Sequence, residues 1–343
     1  MMKKLIIPIL IAGCMFSTSI TAMGASIQDV NVTGDFRLRG YSIEDNIAGA
    51  DKIPGVKTDD SYLQFIGRIN LNAKIADNTT FFSRFGMRNR LGQSMSDGNF
   101  NNSYQQIDQY GIRTTQGDWN LSIGRQAVKL GQGMLISTGD EVEYDNKFDG
   151  LVATTKMGAA NLKLIAGKTS TSEIAERLGG VSSTWYGAEV SGMISPKTSM
   201  GFSFANDKPK DSNTSVSSWA VNTSVNVAPN LWLNAEYAKS NANSNNAAYL
   251  IGGAYVTAKD VFVAQYQNVE KNAVNQSNSL YSYVNFPFQG VGMSFTNSWD
   301  GWFYKYNHIM DKNTSLHVIY MDTKAEGLSG RDKEVTVGIA WGF

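Results

Sequence analysis

Cysteine occurs once in the 343 residues, at Cys14, inside a leader-like segment. A chain that loses this segment has no disulfide, no thiolate metal site and no cysteine nucleophile. Histidine occurs twice, at His308 and His317, and proline six times. So few imidazoles argue against a metalloenzyme, and so few prolines against a proline-rich linker architecture. Lys plus Arg number 30 and Asp plus Glu number 30, which leaves no basic excess of the kind that marks a nucleic-acid binder. No apolar run after the leader approaches the roughly 18 to 20 residues that a membrane-spanning helix needs.

The leader itself is positively charged at Lys3 and Lys4, then apolar from Leu5 to about Phe16, with small residues at Ala22, Gly24 and Ala25. That order predicts an exported chain whose signal, residues 1–24, is cleaved after 24 or 25. Ile11-Ala12-Gly13-Cys14 also fits a lipobox, in which Cys14 would be lipidated and become the first residue. On cleavage after 24 the mature chain carries a net charge of −2, because two lysines leave with the signal.

What remains is rich in period-two alternation. At the end of the sequence Val335, Val337, Ile339, Trp341 and Phe343 alternate with Glu334, Thr336, Gly338, Ala340 and Gly342. Successive side chains of a strand point to opposite faces, so one face is wholly apolar and the other small and polar. The same split puts Val30, Val32, Phe36 and Leu38 opposite Asn31, Thr33, Asp35, Arg37 and Arg39. Likewise Leu63, Phe65, Ile69 and Leu71 oppose Gln64, Ile66, Arg68 and Asn70, and Phe81, Phe85 and Met87 oppose Arg84, Arg88 and Arg90. Apolar faces interleaved with polar ones, in segments of about ten residues, predict an all-β transmembrane barrel with lipid outside and water inside.

Short turns are expected near 76–78, 116–118, 158–160, 195–198, 228–230, 259–260 and 311–313. Long polar loops are expected near 42–60, 91–103, 127–145, 170–182, 207–214, 241–247, 269–300 and 323–333. Seven turns and eight loops join sixteen antiparallel strands, with short turns periplasmic and long loops extracellular. Eighteen strands remain open, since 269–300 has room for a further hairpin such as 280–295. Residues 25–343 form one domain, because an open sheet edge would be costly in lipid.

Several residues test the phase of the strands. Trp119, Trp185, Trp219, Trp302 and Trp341, with Tyr304, Tyr306 and Tyr320, are expected outward as an interfacial belt. Trp232, between Leu231 and Leu233, is expected inward. Continuing the apolar face of Trp119, Leu121 and Ile123 would aim Arg125 at lipid, so a bulge or the strand's end is expected there.

The inward arginines Arg37, Arg39, Arg68, Arg84, Arg88 and Arg90 are candidate pore-lining groups. The third long loop carries Asp140, Glu141, Glu143 and Asp145, which would narrow the lumen opposite them. Fixed charges around a pore select among solutes, although opposite unit charges about 10 Å apart in water interact by only about 0.4 kcal/mol. Gly131-Gln132-Gly133 completes no phosphate-cradling motif. No cofactor, metal or nucleic-acid site is expected.

Two stretches carry a family resemblance. Gly117-Asp118-Trp119-Asn120-Leu121-Ser122-Ile123-Gly124-Arg125-Gln126, then loop 127–145, then Tyr144-Asp145-Asn146-Lys147-Phe148-Asp149-Gly150-Leu151, resembles the region of Gram-negative general diffusion porins where a strand ending in Gly-Arg-Gln feeds the third loop. Asp311-Lys312-Asn313-Thr314-Ser315-Leu316 is similar to a porin penultimate hairpin, and the last strand with its Phe343 resembles the closing strand of outer-membrane barrels. The Gly-Arg-Gln and Phe-Asp-Gly words also resemble alginate-export barrels.

The resemblance implies a homotrimeric, water-filled outer-membrane channel for small hydrophilic solutes, set in outer-membrane lipid and lipopolysaccharide. Its third loop would fold inward, and Phe343 with Trp341 would form part of the address read by the barrel-assembly machinery. The Pro-Glu-Phe-Gly-Gly word of many enterobacterial third loops is absent. Three other readings remain: a sugar-selective or acidic-polysaccharide channel, a non-conducting structural or adhesive barrel, and a barrel enzyme. The last lacks support, because His317 is followed by Val318 and Ile319 rather than by the serine of an outer-membrane phospholipase.

Overall fold

The computed structural model describes residues 28–45, 59–91, 103–138, 147–170, 182–210, 212–276, 298–327 and 330–343. The first half of the wall comprises β1 (Gln28–Asp45), β2 (Asp59–Ala76), β3 (Thr79–Leu91), β4 (Ser103–Gln116), β5 (Trp119–Gln126), β8 (Lys147–Met157), β9 (Ala160–Ser170) and β10 (Ser183–Ser195). The second half comprises β11 (Thr198–Pro209), β12 (Val216–Ala228), β13 (Leu231–Ser240), β14 (Ala247–Val256), β15 (Asp260–Val269), β16 (Trp299–Ile309), β17 (Thr314–Ala325) and β18 (Asp332–Gly342). These sixteen strands close into one antiparallel barrel, each paired with its chain neighbour in the wall and β18 with β1. A small hairpin, β6 (Val128–Leu130) with β7 (Ile136–Thr138), stands apart from the wall.

The seven expected turns all separate consecutive strands. The loop expected at 42–60 is shorter: β1 and β2 continue their ladder to Glu44 opposite Asp59, so polar residues there are strand despite their poor strand propensity. β15 pairs directly with β16, so 269–300 adds no strand to the wall and the eighteen-strand alternative falls. Residues 280–295 lie outside the described residues.

Alternation sets the faces. Val30, Val32, Leu63, Ile107, Phe202, Ile251 and Val337 are exposed on the outer surface of the isolated barrel, the surface that a bilayer would cover. Trp219, Trp302 and Trp341 are exposed there too, and Trp302, Tyr304 and Tyr320 stack in sequence at 5.7 and 6.0 Å. Trp185 departs from the expected belt. It is 2% exposed, its indole Nε1 donates to Thr169 Oγ1 at 3.2 Å, and its neighbour Tyr186 takes the outer face. The strand is read one residue out of phase if its tryptophan is assumed to mark the membrane edge.

At Arg125 the second of the two expectations holds: β5 ends one residue further on, at Gln126, and no bulge precedes it. No register shift interrupts the β5–β8 ladder, which runs on through Gln126. The guanidinium stays on the same face as Ile123, and Asp149, its cross-strand partner, accepts from Nε and Nη2 at 2.8 Å each. A bidentate partner on the adjacent strand neutralises the charge, which removes the need for a bulge.

The seam between β1 and β18 is closed by a reciprocal pair of main-chain hydrogen bonds: Gly34 N donates to Phe343 O, and Phe343 N donates to Gly34 O, both at 3.0 Å. The Phe343 ring occupies the space that a Cβ on Gly34 would need, and it stacks on Phe36 at 5.5 Å, which stacks on Phe65 at 5.8 Å. Glycine at position 34 therefore admits the close approach of the ring.

Candidate functional site

The inward residues form two unlike walls. On β1–β3 all six candidate arginines fall on the inner face. Arg37 and Arg88 share a row, one on each side of Ile66, and Arg68 stands in the next row opposite Asp35. Asp35 accepts from Arg37 Nε at 2.6 Å and from Arg68 Nε at 2.8 Å. Arg84 is held in a fork by Asp108 of β4, at 2.7 and 2.8 Å, and Lys147 Nζ lies 3.8 Å from the same carboxylate. Asp108 is fully buried, so this pair is removed from bulk water. Arg90 covers the Tyr62 ring at 3.8 Å, Tyr62 stacks on Tyr41 at 4.7 Å, and Arg39 Nη1 donates to Tyr41 Oη at 3.3 Å. Five of the six arginines, Arg37, Arg39, Arg68, Arg84 and Arg90, are thus held by carboxylates and rings of neighbouring strands.

Asp35, Asp108, Lys147, Tyr41 and Tyr62 were not among the sequence candidates. Asp35 had a signal, since it precedes Arg37 by two on the same face. Asp108 had none: a register shift between Arg84 and Phe85 against β4 obscures its partner.

The opposite wall, β9–β13, holds a segment of the chain. Gly131 N donates to Glu189 Oε2 at 2.7 Å, while Gln132 N and Met134 N donate to the two oxygens of Glu236 at 3.2 Å each. The Gln132 side chain donates to Thr223 O at 3.2 Å and to Ala235 O at 2.9 Å, and Lys163 Nζ donates to Lys129 O at 3.0 Å. Under these bonds Leu130, Met134, Leu135 and Ile136 are buried in one apolar cluster with Ala205, Ala220, Ala238 and Ala248. The last three alanines are cross-strand neighbours. Their small side chains make the shallow bed on which the larger ones pack. Gly131 has φ +58°, and a Cβ there would overlap the Glu236 carboxylate.

Glu189 and Glu236 face inward by alternation, yet nothing in the sequence ties them to a loop 58 and 104 residues away. Because the β6–β7 hairpin is bonded to inward side chains of one wall, it lies within the ring of strands. Its other side faces a cavity of about 830 Å³, bounded across from it by β1, β2 and β16–β18. Arg37, Arg39, Arg68, Lys129, Lys305 and Lys312 line this cavity together with Asp35 and Asp311. Asp140, Glu141, Glu143 and Asp145 lie outside the described residues, as does the remainder of that loop up to 146.

A closed sixteen-stranded antiparallel barrel with short turns at one rim and longer connections at the other is the general porin fold. Among solved structures the chain is similar to mutants of Rh. blastica porin. One matches with a TM-score of 0.56 at 10% identity, a second with 0.55 at 11% and a third with 0.55 at 10%. Each match covers 92% of this chain and 100% of the porin. No protein-family model and no curated protein matches the sequence.

Proposed function

We propose that the protein is an outer-membrane porin that lets small hydrophilic solutes and ions diffuse passively through its lumen. The observation that carries this reading is the division of the lumen: a hairpin fastened to one wall leaves a charged, water-accessible cavity against the other. Arg37, Arg39 and Arg68 with Lys305 then line the solute path, and loop 127–145 with its four acids forms the constriction. An outward apolar band with aromatics at its edges supports an integral outer-membrane location, reached by cleavage of the signal at 1–24. Assembly as a homotrimer, recognition of Phe343 and Trp341 by the barrel-assembly machinery, and contact with lipopolysaccharide belong to the same reading. No catalytic role is assigned.

The test is single-channel recording in planar bilayers, with liposome swelling in sugars of graded size. A smooth size cutoff supports general diffusion. Saturable or blockable currents favour a selective channel, and no conductance from a folded barrel favours a structural one.

A further inference from the structure

We infer that residues 270–276, at the start of the connection from β15 to β16, form a strap that gates the hairpin-filled side of the pore. This rests on the porin reading and names an element that regulates the same lumen. The strap crosses the inner face of the wall, and its bonds step in order from β14 to β10. Glu270 N donates to Ala247 O of β14 at 3.1 Å, and Glu270 Oε2 accepts from Ala247 N at 2.8 Å. Asn272 O accepts from Ser240 Oγ of β13 at 2.6 Å, and Ala273 O accepts from Ser218 Oγ of β12 at 3.5 Å. Asn275 Nδ2 then donates to Asp207 Oδ2 of β11 at 2.6 Å and to Ser183 Oγ of β10 at 3.3 Å. Ala273 and Val274 are buried in the apolar cluster that also holds Trp185 and, from the hairpin, Leu135. The strap is therefore a second inward segment, laid across the long-loop end of the wall on which the hairpin is docked.

Two observations make the strap a gate rather than a fixed part of the wall. The first is its grip. The hairpin is held by main-chain bonds to two carboxylates and by Leu130, Met134, Leu135 and Ile136, whereas the strap meets β10–β13 through serine hydroxyls, the Asn275 amide and the smaller side chains of Ala273 and Val274. Bonds from a neutral hydroxyl to a carbonyl are weaker than bonds to a carboxylate. The second is what its seat buries. Asp207 is 6% exposed, and its Oδ1 has no hydrogen-bond partner among the described residues. A buried carboxylate that is only partly satisfied is unfavourable, and lifting the strap returns it to water. The seated arrangement keeps the Asn275–Asp207 bond and the apolar contacts, and the lifted one gains the hydration of a carboxylate. Opposed terms of this kind are what a two-state element requires. Between strap and hairpin lies a cavity of about 250 Å³ whose lining includes Leu135, Trp185, Asp207, Lys271 and Asn275. Lifting the strap joins this cavity to the solute path, which otherwise keeps to the arginine-lined side. Residues 277–297 lie outside the described residues, and the variants below leave them unchanged.

The experiment records single channels of the full-length barrel in planar bilayers. The parent should show a main open level and a rarer, larger one, for the seated and the lifted strap. Asn275→Ala takes the amide donor from Asp207 and should raise the occupancy of the larger level about tenfold, the scale of a hydrogen bond to a charged group. Asp207→Asn keeps an acceptor for Asn275 but removes the buried charge, so it should lower that occupancy. A second measurement reads the strap directly. Cysteine is otherwise confined to Cys14 of the leader, so Val274→Cys can be followed by its rate of reaction with a water-soluble methanethiosulfonate reagent. That rate should be slow in the parent background, about tenfold faster with Asn275→Ala and slower still with Asp207→Asn. Opposite shifts from the two variants are what a merely structural contact would not give. Levels or rates that neither variant moves, or that both move in one direction, would overturn the gate and leave the porin reading intact. A folded barrel that never conducts would overturn both.

Discussion

On β10 and β13 the inward carboxylates are occupied by the main chain of the hairpin, whereas on β1–β3 most inward arginines are occupied by carboxylates and rings. Both walls obey the same alternation, and both turn charged residues towards the lumen. They differ in their partners. One wall holds a distant segment by its carboxylates; on the other, carboxylates and rings of neighbouring strands hold five of the arginines. An inward charge in such a barrel is therefore an anchor or a lining group according to its partner, and its position in the strand does not say which.

The comparison breaks most severely at Asp108. Replacing it with Ala removes the buried carboxylate facing both Arg84 and Lys147, so the arginine wall should lose about 3 kcal/mol or more. Urea unfolding in lipid vesicles would read this, and a loss under about 1 kcal/mol would mean that water takes over the role of Asp108. Glu236→Ala should do less to the barrel and more to the pore. Two hairpin N–H groups would lose their acceptor, at about 1 to 3 kcal/mol each, and single-channel records should show higher and noisier conductance with the wall still folded. Quiet, parental currents would show that the apolar bed alone holds the hairpin.

Gly131→Ala sharpens the same point. A non-glycine residue with positive φ costs about 1 to 2 kcal/mol, and the added Cβ would meet the Glu236 carboxylate. Its channel phenotype should resemble that of Glu236→Ala at smaller amplitude, and a double mutant should add little.

The smallest effect belongs to neither wall. Asp311, in the turn between β16 and β17, accepts from Asn313 N at 2.8 Å and Thr314 N at 2.9 Å, and these bonds hold its carboxyl below the usual carboxylate range. A group with a depressed folded pKa stabilises the fold above its unfolded value and loses that contribution as pH falls through the folded one. Thermal stability should thus slip slightly below about pH 4. Asp311→Ala should abolish that part of the acid dependence. An unchanged acid profile in the variant would assign the slope to other carboxylates.

Strand number, turn positions and the inward phase of the arginines were legible because alternation and turn chemistry are local. Asp311 declares its turn, and Leu231 and Leu233 declare that Trp232 faces inward. What local pattern could not supply was pairing at long range. Trp185 reads as a membrane-edge residue by type, yet its phase against Tyr186 turns it into the lumen. Arg125 looks like a misfit until β8 brings Asp149 beside it. Glu189 and Glu236 look like ordinary lumen acids, because the bonds that define them arise only after the barrel curves a hairpin onto their wall.

The ring of Phe343 seated over Gly34 has a consequence for the bore of the barrel. In a closed sheet the number of strands and the stagger between first and last strand together fix the tilt and the diameter. Strand number is settled by the chain, but stagger is settled wherever the two ends meet. Sliding β18 along β1 by one residue would turn every side chain of a strand to the wrong face. Sliding by two would keep the faces and leave hydrogen bonding intact, so alternation alone offers no protection against it. It would, however, take the aromatic ring away from Gly34 and separate it from Phe36. The ring's seat therefore favours one stagger among those that alternation would accept, and stagger together with strand number fixes the cross-section of such a cylinder.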